Sequence, residues 1–130
     1  WRFRRQRLPG LLSRGSTTVA QTLIFATGKI GWHRVRIEMI LTNAKFPLGR
    51  LVATSNAASK LSPEDVAVGI GRHASGDWGE VCDEDRASNE EALVEGLRLM
   101  SVYTSTSGLT FWIITEWDRS ITTVLLPEDY

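Results

Sequence analysis

Three short runs close to the end of the chain constrain its fold most. "LMSVYT" (Leu99–Thr104), "LTFWIITE" (Leu109–Glu116) and "ITTVLL" (Ile121–Leu126) are rich in β-branched and aromatic residues. The turn clusters "STSG" and "WDRS" separate them, and Pro127 ends the series. Strand formers joined by such short turns fold back on their neighbours, which predicts an antiparallel meander. A sheet of this kind needs cover on at least one face, and the residues before it predict that cover. Ser62-Pro63-Glu64-Asp65 is a helix start, with a serine N-cap, proline at the first position and acids in the first turn. This helix carries Val66, Ile70 and His73 on one stripe and ends near Ser75-Gly76, with Gly69 and Gly71 weakening it.

A second helix starts at Asp83-Glu84-Asp85, or later if Ser88 and Glu91 form a capping box. Leu93, Leu97 and Met100 supply its expected apolar stripe. Upstream, "PLGRLVAT" (Pro47–Thr54) reads as a further short strand, with Leu51 and Ala53 on one face and Val52 on the other. "SNAASKL" adds one helical turn. The expected class is α+β: two helices packed on an antiparallel β-meander of three to four strands.

The chain has 130 residues, with 15 basic and 15 acidic side chains. Their balance conceals a split. Residues 1–38 hold eight bases (Arg2, Arg4, Arg5, Arg7, Arg14, Lys29, Arg34 and Arg36) against one acid, Glu38, about +7. The rest holds seven bases and fourteen acids, about −7. Turn residues interrupt the basic stretch, and no apolar period runs through it. The expectation is a basic leader over residues 1–38, non-native or disordered, and a single α+β domain over 39–130. The one cysteine, Cys82, has no partner for an internal disulfide, so a reducing compartment, the cytoplasm, is expected. No apolar run is long enough to predict a membrane span.

The segments "RHASGDWGEVCDEDRASNEEALVEGLRLMSVY" and "FWIITEWDRSITTVLLPEDY" resemble a family of short, uncharacterised bacterial proteins described as plasmid-related. The motifs that carry this likeness are His73…Gly76-Asp77-Trp78-Gly79 and Ile114-Thr115-Glu116…Asp118-Arg119-Ser120…Thr122-Thr123…Leu125-Leu126-Pro127. The chain departs from the family at Trp117, where such proteins carry a small residue. The likeness covers roughly Pro47–Tyr130. It implies a mobile-element setting in the bacterial cytoplasm and no established activity.

A looser resemblance is to barnase- and RelE-type ribonucleases, which also place helices before an antiparallel meander. It implies metal-independent RNA cleavage, which needs a base, an acid and a cationic clamp for the phosphate. His73 would be the base or acid, Arg119 the clamp, Glu116 a carboxylate alternative, and Thr122 or Thr123 a hydrogen-bond donor. Against it, the terminal turn reads Asp118-Arg119 without histidine, and a domain of about −7 repels polyanions. Nucleic acid is therefore the weaker expectation for a substrate. Each residue also has a structural role open to it: His73 as a helix-end or packing residue, Asp77 as a turn former, Trp78 as a core plug, and Asp118 with Arg119 as a hairpin-turn pair.

His73, Asp77, Cys82 and Asp83 lack the close spacing of a metal site, and no phosphate-cradling glycine loop is present, so no metal or cofactor is expected. Cys82 precedes three acids, which blunts a thiolate. The acids from Asp83 to Glu95 offer a surface for a basic protein partner, or a stand-in for nucleic-acid phosphates of the anti-restriction type. The favoured reading is an accessory or interaction module. "HASGDWG" and "TEWDRSITT" are expected to meet in space, with His73, Asp77, Glu116, Asp118 and Arg119 clustered against Trp78 and Arg119 tied to Asp77.

Overall fold

The computed structural model describes residues 16–26, 32–42 and 44–130. The class is α+β. Six strands are β1 (Ser16–Ala26), β2 (Trp32–Thr42), β3 (Arg50–Ala53), β4 (Leu99–Thr104), β5 (Thr110–Thr115) and β6 (Ile121–Leu125). Between β3 and β4 lie the helices α1 (Ser55–Lys60), α2 (Pro63–Ala74) and α3 (Asp83–Glu95), and a 3-10 turn, Pro127–Asp129, closes the chain. The strand order is β2-β1-β3-β6-β5-β4.

The predicted meander is present. β4 pairs antiparallel with β5, and β5 with β6. The purely antiparallel expectation needs one correction, because β3 lies parallel to β6 and to β1. The chain leaves β3, crosses through three helices to the far edge at β4, and meanders back. β6 therefore meets β3 running the same way, and the sheet is mixed.

Of the expected leader, residues 1–15 and 27–31 lie outside the described residues. β1 and β2 form an antiparallel hairpin whose register runs from Ser16 opposite Thr42 to Ala26 opposite Trp32. The expected boundary at residue 38 thus falls inside β2, because β1 extends the sheet beyond β3.

The α2 start follows its sequence signal: the Ser62 side chain accepts from the Asp65 amide at 3.1 Å, with Pro63 in the first turn. Its buried stripe is Val66, Gly69, Ile70, His73 and Ala74. Gly69 has a packing reason that offsets its low propensity. A Cβ there would come within 3.0 Å of the Phe111 ring, so glycine lets α2 settle onto β5. The helix-covered face of the sheet buries Leu99, Ser101 and Tyr103 of β4, Phe111, Ile113 and Thr115 of β5, and Thr122 and Val124 of β6. That alternation is the period of two expected of a half-covered sheet.

In α3 the expected stripe fails. The helix stops at Gly96, which takes a left-handed cap with φ 76°, so Leu97 and Met100 lie beyond it. Its buried residues are Asn89 and Ala92. Asn89 acts as a substitute strand. Its side-chain amide donates to the Met100 carbonyl at 2.8 Å, and its oxygen accepts from the Met100 amide at 3.1 Å. Next to it, Val102 donates to the Trp78 carbonyl and accepts from the Glu80 amide. The open edge of β4 is thereby covered, which removes a template for pairing with other chains.

Candidate functional site

His73 is completely buried on the sheet side of α2 and joins three strands. Its Nδ1 lies 2.6 Å from Ser101 Oγ, and its Nε2 lies 2.9 Å from Thr115 Oγ1. Thr115 continues to Thr122 at 2.8 Å, and Thr122 donates to the Leu48 carbonyl at 2.6 Å. The terminal carbonyl can only accept, and this orders every proton in the row. Thr122 uses its one hydroxyl proton on Leu48, so it accepts from Thr115. Thr115 then accepts from His73, which must carry its proton on Nε2. The bare Nδ1 accepts from Ser101.

Burial, followed by the positive charge of Arg119, lowers the His73 pKa from 6.5 to about 3. The imidazole is therefore neutral across the physiological range. The rings of Phe46 and Trp78 flank it edge-on, with centroids 5.2 Å and 5.8 Å away. Trp78 is buried and donates its indole N–H to Glu90 at 2.8 Å, fixing the plug against α3.

Arg119 is 7% exposed and sits in the β5–β6 turn with φ 59°, a left-handed conformation uncommon for a side chain other than glycine. Its Nη1 donates to the carbonyls of Leu97 at 2.6 Å, Glu116 at 3.1 Å and Trp117 at 3.4 Å, and its Nη2 to Ala92 at 3.0 Å. The guanidinium thus caps the C-terminal end of α3 and lies 5.7 Å from the Phe46 ring centroid. Burial depresses its pKa, with partial relief from the Asp118 charge.

The other predicted residues lie apart. Asp77 pairs with Arg72, not with Arg119: Arg72 Nε meets its carboxylate at 2.8 Å, and the Gly79 amide adds a second bond. The hydrogen bond from Arg72 holds Asp77 below the ordinary carboxylate range. Glu116 meets Arg98 at 3.4 Å. Asp118 accepts from the side chain and amide of Ser120, which lowers its pKa and closes the turn. "HASGDWG" and "TEWDRSITT" touch through His73, Thr115 and Thr122, with Arg119 acting on His73 by its charge.

Sequence reasoning missed Ser101 and Asn89. Ser101 stands between Leu99 and Tyr103 at the buried period of β4, and a hydroxyl in such a place needs a partner. Asn89 lies inside a helix, where its poor propensity hints at a use for the side chain. Ser101 against His73 has the atom types of a nucleophile and its base. Both are fully buried, however, and the second imidazole nitrogen faces a threonine rather than a carboxylate. Among the described residues, no three His, Cys, Asp or Glu side chains converge as a metal set. No helix among them is long and apolar enough to cross a membrane. Comparison with protein-family models, curated proteins and solved structures yields no match to the chain.

Proposed function

We propose that the domain is a non-catalytic interaction module and that the His73 row is an internal clasp. The burial of His73 carries this reading: the imidazole has no exposed surface, and both its nitrogens bond to residues of the same core. A general base must reach the proton it removes, and a phosphate clamp must present free donors. Arg119 directs four hydrogen bonds to carbonyls of its own chain instead.

The partner contact goes through α3. Asp83, Glu84, Asp85, Glu90, Glu91 and Glu95 are all exposed, and the helix buries only Asn89 and Ala92. This favours a basic partner protein over a polyanion. The setting we assign is the bacterial cytoplasm, in the plasmid-related context implied by the sequence resemblance. The free, exposed Cys82 supports a reducing compartment.

The test is RNA cleavage by the purified chain, with circular dichroism to monitor folding. We expect no cleavage above buffer. Cleavage that disappears in a folded His73→Gln variant would establish a ribonuclease and remove this reading.

A further inference from the structure

We infer that Val94, Leu97 and Trp117 form a docking patch for a basic segment of a partner protein carrying apolar anchors. The inference rests on the interaction-module reading and names the chemistry of its partner. Among the described residues, these three are large hydrophobic side chains left in water, at 81%, 50% and 65% exposure. They belong to two segments far apart in sequence that one buried group brings together. The Arg119 guanidinium bonds the carbonyls of Ala92 and Leu97 on one side and of Glu116 and Trp117 on the other. Arg98 ties the same segments a second time through Glu116. The patch therefore stands on a rigid base, as an interface anchor requires.

Charge selects the partner. Glu91 and Glu95 on α3 and Asp118 beside Trp117 are exposed acids, and Glu116 is half-buried. Arg119 is buried against carbonyls, and Arg98 is engaged by Glu116 and the Tyr130 hydroxyl. Glu95, exposed in the last turn of α3, stands where an incoming cation can pair with it while an apolar side chain covers Trp117. Exposed tryptophan beside carboxylates suits arginine-bearing peptides in particular, through face contact with the ring. A nucleic-acid-like decoy surface would have no use for the apolar residues.

The experiment titrates the full chain with a synthetic amphipathic peptide of arginine and leucine, and with its counterpart carrying glutamate for arginine. We expect the arginine peptide to bind with salt-sensitive affinity. Trp117→Ser should weaken it about tenfold or more, as loss of an interface anchor does. Val68→Ser, which removes an exposed hydrophobe from α2, should leave it unchanged. A paired Glu95→Lys and Asp118→Lys exchange should reverse the preference between the peptides. The inference is overturned if the arginine peptide does not bind, if Trp117→Ser binds it equally well, or if the glutamate peptide binds as tightly. Self-association lost on Trp117→Ser would assign the patch to a second copy of the chain and overturn it too. Failure of the peptide arm without RNA cleavage defeats the patch alone; cleavage lost on His73→Gln defeats the non-catalytic reading, whatever the peptide does.

Discussion

Arg72, near the end of α2, and Arg119, in the β5–β6 turn, carry the same guanidinium into opposite surroundings. Arg72 is exposed, pairs with Asp77 five residues away, and lies 4.6 Å from the centroid of the Tyr103 ring. Arg119 is buried and uses helix and turn carbonyls in place of a carboxylate. In water an ion pair gains little, because each charge is already solvated. In the interior, carbonyl dipoles at the end of α3 and in the turn must replace that solvation, and the arginine joins the two segments through them. The first arginine decorates a turn; the second joins a helix to a hairpin.

The strongest test of this contrast is Arg119→Ala. It removes four hydrogen bonds from partly buried carbonyls, for a loss on the order of 3 kcal/mol in denaturant unfolding. Arg119→Gly should recover about 1 kcal/mol of that, since glycine accepts the left-handed backbone that alanine resists. Equal stability of the two variants would mean that the turn relaxes once the guanidinium is gone.

His73→Leu comes next, at roughly 2 kcal/mol, because Ser101 loses its acceptor and Thr115 its donor. It should also change the acid response. The folded pKa, about 3, lies below the unfolded 6.5, so the unfolded chain takes up the proton first. The stability this represents is present above pH 6.5 and drains away as pH falls toward 3, with a slope approaching about 1.4 kcal/mol per pH unit. The leucine variant should show a flatter profile across that window. A profile parallel to the parent's would mean that carboxylates govern the acid limb.

The smallest effect belongs to the exposed pair. A double-mutant cycle of Arg72→Ala and Asp77→Ala should give a coupling below about 1 kcal/mol, reduced by salt. A coupling as large as the Arg119 loss would erase the distinction between the two sites.

Several local features needed no tertiary information. The Ser62-Pro63 start of α2, the three meander strands, the alternation of Leu51 and Ala53 against Val52, and the acidic start of α3 all follow from propensity, capping and period. Those forces act within a few residues, so they can be read along the chain. The end of α3 could not be read with the same ease. Leu93, Leu97 and Met100 have helical spacing, yet Gly96 stops the helix and Met100 enters β4, where Asn89 holds its backbone. The parallel pairing of β3 with β6 depends on where three helices deliver the chain. Asp77 and Arg119 look like natural partners in sequence, because only side-chain charges are visible there. The acceptors that claimed Arg119 are main-chain carbonyls, which every residue carries and no letter marks. Their demand arises only when a helix ends beside a hairpin and water is shut out. The same exclusion of water makes His73 neutral and orders its protons, and it leaves Val94, Leu97 and Trp117 facing outward.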